Sequence, residues 1–225
     1  MKRFLYFGTI MLCVFALTQI AAAQMGMRMR GPSVRGVWAS VGGTGAVYQT
    51  ENQREGKREM EIAIVGAETS EGKPGHWLEM AFKSPNEGQM IVRQLMALNN
   101  KQMQILRMVF QQGNEEPIEM SMEMMGMMGQ MGQQPKPQNA DIREEAERVG
   151  VESVTVPGGT FECEHWRSKD KTSDFWISDK VAPYGLVKMV SKDESMTLLR
   201  VITNAKTKIR GTPKKFDPAE MMRRP

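Results

Sequence analysis

The amino-acid sequence predicts a mainly β protein: a curved antiparallel meander sheet, half-barrel-like, with one short helix. Three observations predict it. Apolar and polar residues alternate in one stretch after another, at the period of two that gives a strand two unlike faces. Turn residues close each stretch, as at Lys73-Pro74-Gly75, Ser84-Pro85-Asn86-Glu87-Gly88, Pro157-Gly158-Gly159 and Pro183-Tyr184-Gly185. Only Asp141 to Val149 combines a helical period with capping residues.

Residues 1–23 read as a cleaved export signal. Lys2 and Arg3 precede a mostly apolar run, Phe4 to Leu17, and Ala21-Ala22-Ala23 stands before Gln24. The apolar run is short of the roughly 20 residues a membrane span needs. The expectation is an exported chain, periplasmic or secreted, with no stable membrane span after cleavage. Residues 24–36 form a flexible leader, with Met25, Met27 and Met29 set among Arg28, Arg30 and Arg35. Residues 37–211 are expected to be a single β-rich domain interrupted by a linker at 119–139, and 212–225 a basic tail.

Within the domain, Ala46, Tyr48 and Thr50 share one strand face, Met60, Ile62 and Ile64 the next, and Leu78, Met80 and Phe82 a third. Residues 90–111 are dense enough in apolar side chains for a helix. Asn99-Asn100 in their middle, with Ile91-Val92 before and Val109-Phe110 after, favours a hairpin, and a hairpin is expected. Asp141 and Glu144 have capping-box spacing, Ile142, Ala146 and Val149 line one face, and Gly150 stands where a helix stops. Phe161, Cys163 and His165 then alternate with Glu162, Glu164 and Trp166, which places the first three on the core face. Phe175-Trp176-Ile177, Leu186 to Val190, and Met196, Leu198, Arg200 and Ile202 continue the meander, and Ile209 suggests a short edge strand. Strands are expected near 45–52, 57–65, 76–82, 153–168, 174–179, 185–191 and 195–203, with the helix against the concave side of the sheet.

The formal charge of +4 falls to +2 once Lys2 and Arg3 are removed, which points away from nucleic acid as a partner. Cleavage leaves Cys163 as the only cysteine, so no internal disulfide staples the core. A lone strand cysteine reads as a small buried hydrophobe. Cys163 and His165, with His76 as the only other histidine, are too few for a zinc site without carboxylates, and His165 reads as structural. Glu162 and Glu164 read as a solvated strand face rather than a pair for sugar hydrolysis. Gly42-Gly43-Thr44-Gly45 precedes a strand and lacks the Lys-Ser/Thr of a phosphate loop. No constellation supports an enzyme.

The 22 methionines, against 10 leucines, are the compositional outlier. Met120, Met122, Met124, Met125, Met127, Met128 and Met131 crowd one segment among Gly and Gln, and Pro135 and Pro137 follow. Three readings of it stand side by side. It is a low-complexity connector, an adaptable apolar contact surface, or a set of soft thioether ligands for copper(I), those seven methionines being the candidate ligands.

Residues 154–190 also resemble a known group. Pro157-Gly158-Gly159-Thr160-Phe161, Trp176-Ile177-Ser178 and Val181-Ala182-Pro183-Tyr184-Gly185-Leu186-Val187 resemble the turns and strands of exported bacterial domains of unknown function. That pattern is similar to periplasmic lipoprotein carriers of the lipoprotein-localisation type. The resemblance implies a curved half-barrel that holds acyl chains. Taken together, the expected function is an exported, non-enzymatic binding protein of the cell envelope. Its expected ligand is apolar, such as a lipid or an acylated protein, and no cofactor is expected. A copper(I)-binding protein and a structural or interaction module of the envelope are the alternatives.

Overall fold

A computed structural model describes residues 34–53, 56–84, 88–120 and 138–216. The chain divides into two compact units, Met1–Val34 and Arg35–Pro225, and the second holds every strand among the described residues. The export-signal segment 1–23 and nearly all of the leader 24–36 lie outside the described residues.

The described strands are β1 (Gly45–Asn52), β2 (Gly56–Ser70), β3 (Lys73–Ser84), β4 (Gly88–Asn99), β5 (Gln102–Gln112), β6 (Ile118–Met120), β7 (Gln138–Asn139), β8 (Ala146–Val156), β9 (Gly159–Ser168), β10 (Ser173–Ile177), β11 (Leu186–Ser191), β12 (Glu194–Ile202) and β13 (Lys214–Lys215). They form one sheet in the order β13-β6-β5-β4-β3-β2-β1-β12-β11-β10-β9-β8, with β7 added beside β5. Two antiparallel meanders, β1 to β6 and β8 to β12, thus run outward from a shared centre. There β1 pairs β12 from Gly45↔Ile202 to Asn52↔Glu194, joining strands far apart in the chain. The pairing of β13 with β6 is parallel.

Local sequence sets the tight turns. Glu71 (φ 50°) and Gly72 (φ 75°) join β2 to β3, and Asn100 (φ 46°) and Lys101 (φ 66°) join β4 to β5. Two successive positive φ angles give the turn whose twist matches an antiparallel hairpin. The hairpin expected over 90–111 is therefore present, turning at Asn100-Lys101.

Four expectations are corrected. Asp141 does cap a turn, its Oδ1 accepting from the Arg143 backbone N–H at 2.9 Å, but only one 3-10 turn, Ile142–Glu144, follows. From Ala146 the chain is strand β8, because the β-branched Val149, Val151, Val154 and Thr155 favour a pleated surface and β9 offers a full-length partner. The strand expected over 153–168 is two strands, broken at Pro157-Gly158. No α-helix is present among the described residues, so the helix expected over 141–149 does not lie against the sheet. Ile209 forms no edge strand, and Lys214-Lys215 of the expected tail pair with β6.

Both faces of the sheet are packed. On one, here the tyrosine face, Tyr48, Met60, Ile62, Ile64, Leu78, Met196 and Leu198 are each at most 1% exposed. The Tyr48 hydroxyl donates to the Leu186 carbonyl at 2.9 Å, reaching past β12 to β11. The sheet curls at this end. Gly158, in the β8–β9 turn, donates its N–H to the Leu198 carbonyl of β12 at 3.1 Å, although three strands separate β8 from β12 in the sheet. A Cβ at Gly158 would lie 2.9 Å from Leu198 Cγ, so the approach needs glycine. On the other, tryptophan face, Trp77, Leu95, Ala97, Leu106 and Val109 cluster, with Val65 and Ile209 packed against them. The segment after β12 crosses this face and is held by two buried polar side chains. Glu79 accepts from Thr207 Oγ1 at 2.6 Å and from the Lys208 N–H at 2.7 Å. Gln111 accepts from the Arg210 N–H at 2.9 Å and donates to the Arg210 carbonyl at 2.9 Å.

Candidate functional site

The register of β2 to β6 builds an apolar surface row by row, because directly paired residues project from the same face. One row runs Ile62, Met80, Val92, Phe110, Ile118, and a second runs Met60, Phe82, Met90. A third places Met108 beside Met120. The rows continue the tyrosine-face core, but their burial changes along the way. Met60 and Ile62 are fully buried, whereas Met80, Phe82, Met90, Val92, Met108, Phe110, Ile118 and Met120 are only half-buried. Four of those eight are methionines, whose flexible thioethers adapt to partners of varied shape.

The reverse side of the same strands is closed. Arg107 forms a fork with Glu119, Nε to Oε1 at 2.6 Å and Nη2 to Oε2 at 2.9 Å, and also pairs with Glu68. The fork raises the Arg107 pKa and holds the Glu119 carboxyl below its ordinary range. Arg93 and Arg107 lie over Trp77, their guanidinium carbons 4.6 and 5.3 Å from its ring centre. Trp77 in turn donates to Glu68 at 2.9 Å. The tryptophan face is thus tied to itself.

Of the seven methionines weighed as copper ligands, Met120 ends β6, facing Met108. Met122, Met124, Met125, Met127, Met128 and Met131 lie outside the described residues. Cys163 is 1% exposed, and burial, aided by Glu152, pushes its thiol up to about 11. A protonated, enclosed thiol is a poor nucleophile. His165 does not serve it. The imidazole stacks on Trp176 with centroids 4.5 Å apart, and its nitrogens lie 2.7 Å from Asp174 Oδ1 and 3.2 Å from Glu152 Oε1. His76 sits in β3, with five strands between it and β9. Among the described residues no group of three or more His, Cys, Asp and Glu side chains could hold a metal. Phe161, expected on the core face, is half-buried, whereas Phe175 on β10 is 2% exposed.

A cleft of about 470 Å³ opens at the other end of the tyrosine face. Its floor is the cross-strand row Val151, Glu164, Ile177. Val37 and Val181 wall it where the Arg35–Ala39 segment runs beside the β10–β11 loop, the Val37 and Ala39 N–H groups donating to Tyr184 and Pro183 at 2.7 Å. Arg143, Glu162, Ser178 and Asp179 line it too, with Ala39, Cys163 and Gly185. Nothing in the sequence marked this site, because Val37, Val151 and Val181 meet only through the fold.

The fold and site define a class: a curved, open antiparallel sheet with one half-buried apolar face. No family model matches the chain, and no curated protein matches it. Among solved structures it is similar to MucB in complex with MucA(peri), with 9% identity and a TM-score of 0.41 over 75% of this chain and 53% of that one. The chain therefore spans about half the length of MucB. It is also similar to a protein from Parabacteroides distasonis assigned as a lipoprotein, with 13% identity and a TM-score of 0.34 over 75% of this chain and 100% of that one. A third is an exported protein with a YmcC-like fold from Bacteroides fragilis, with 13% identity and a TM-score of 0.35 over 75% and 99%. Among the described residues no helix is long and apolar enough to cross a membrane.

Proposed function

We propose that this is an exported, non-enzymatic binding protein of the cell envelope, which takes an apolar ligand such as a lipid or the acyl chain of an acylated protein. The observation that carries the reading is the half-buried surface from Met80 to Met120, continuous with the core and rich in methionine. Burying apolar area gains about 25 cal/mol per Å², so a surface left half-covered has free energy to gain from an acyl chain. The export half of the reading rests on the sequence of residues 1–23.

The test is native mass spectrometry of the protein purified from its own envelope. The reading expects a bound species in the mass range of a fatty acid or phospholipid, lost when Val92 and Phe110 are replaced by glutamate. A spectrum of bare protein under conditions that retain lipid on a known carrier would refute it.

A further inference from the structure

The half-buried apolar surface is interrupted by one amide. Its third row runs in full Ile64, Leu78, Gln94, Met108, Met120. Gln94 therefore stands between Leu78 and Met108 on the neighbouring strands, and between Val92 and Met96 along β4, all four apolar and on the same face. It is half-buried, and among the described residues its amide makes no hydrogen bond and is not sealed from water. Gln112, by contrast, ends the second row beside Met90, at the last residue of β5. No charged side chain stands in the three rows, and Arg58, on the same face of β2, lies three rows from Gln94.

While water reaches that amide, the missing bond costs nothing. The cost appears when an apolar ligand covers the row, because the amide then gives up its water. A polar group buried unpaired in this way forfeits roughly tenfold or more in affinity. A bare hydrocarbon or an ether chain offers the Gln94 amide no good acceptor in return. A carbonyl oxygen placed beside Gln94 accepts from its Nε2–H and removes the penalty, and a site built to bond such a group rejects the analogue that lacks it. The charge of the group is set by the same surroundings. A carboxylate covered there would be a buried anion with no counter-charge in the rows, whereas an ester is neutral.

We propose that Gln94 makes this surface selective for a neutral acyl ester, the chemistry of a glyceride. The chain rests on Met80, Val92 and Phe110, and the ester carbonyl accepts from the Gln94 amide. This inference rests on the apolar-ligand reading above and narrows it, from lipids in general to chains that carry an uncharged carbonyl.

The experiment is isothermal titration calorimetry of residues 24–225 with glycerol monolaurate and with its ether counterpart dodecylglycerol, each below the concentration at which it aggregates. The two ligands are uncharged and differ only in the carbonyl oxygen. Wild type is expected to bind the ester about fivefold or more tighter than the ether. Gln94→Met keeps an unbranched side chain of similar length and removes the amide. It should bind ester and ether equally, and the ether at least as tightly as wild type does, whereas a merely structural role would weaken both ligands and keep their ratio. Gln94→Leu should repeat that pattern, and circular dichroism checks that both variants fold. Laurate at neutral pH should bind wild type more weakly than the ester. Equal binding of ester and ether by wild type, or an ester preference that survives in both variants, would overturn the role of Gln94 and leave the apolar-ligand reading standing. Laurate binding as tightly as the ester would overturn the assignment of a neutral ester. Binding of none of the three ligands would overturn this inference together with the reading beneath it.

Discussion

Cys163 and Tyr48 show how burial sets chemistry at single residues. The Cys163 thiol, pushed up to about 11, stays protonated where an unfolded chain would already ionise, near the ordinary thiol value of about 8.5. Between those values the unfolded state binds fewer protons than the native one, so stability falls as pH rises through that window. Urea melts of wild type and Cys163→Ala between pH 8 and 11 should show the extra fall only in wild type, and iodoacetamide should label Cys163 only after unfolding. Burial likewise raises the Tyr48 phenol pKa, and its hydroxyl satisfies the Leu186 carbonyl. Tyr48→Phe should therefore cost about 1–3 kcal/mol in a denaturant melt, since a buried carbonyl loses its donor. Phe175→Ala should cost about 3–5 kcal/mol and Phe161→Ala less than half of that. The burial of Cys163 was legible from its alternation with Phe161. The half-burial of Phe161 was not, because the register turns Glu164 and Trp166 to the tyrosine face with Ile177 and Phe175, and so Phe161, Cys163 and His165 to the other, which alternation alone does not decide.

At the scale of elements, the strands that read most clearly were those with turn residues at both ends. β1 runs over the expected residues, and the hairpin of β4 and β5 turns within one residue of the expected Asn99-Asn100. The segment after Asp141 misled because capping-box spacing reports only how a turn begins. Whether a helix continues depends on what the following residues can pair with, and β9 was available. The crossing segment Ala205 to Arg210 had no signature either, since its anchors, Glu79 and Gln111, are 129 and 99 residues away in the chain. Those anchors make a prediction. Glu79→Ala removes two acceptor interactions and should cost about 2–3 kcal/mol. Hydrogen exchange at the Lys208 amide should rise with it, while the amides at the centre of β1 stay protected. Equal exchange at Lys208 in both proteins would mean that Glu79 does not hold the segment.

For the molecule as a whole, the pairing of β1 with β12 decides the architecture, and no local pattern announces it. Alternation says that two strands exist. It does not say that the first and one of the last meet at the centre, which is why the meander was legible and its two-way growth was not. The same holds for the candidate site, where the methionine excess pointed to an adaptable surface while the rows from Met80 to Met120 emerged only from the register. Replacing Met120, Met122, Met124, Met125, Met127, Met128 and Met131 together by leucine separates the two chemistries proposed for that segment. Leucine keeps volume and apolarity, at under about 1.5 kcal/mol per swap, but lacks the sulfur that copper(I) requires. Fatty-acid binding should survive the change, and any copper(I) binding should vanish. The most direct test of the central claim is a titration of residues 24–225, as wild type and as Val92→Glu/Phe110→Glu, with a fluorescent fatty acid. Saturable binding by wild type, weakened by about tenfold or more in the variant, is the predicted result. No saturable binding by wild type, or equal binding by both, would contradict it.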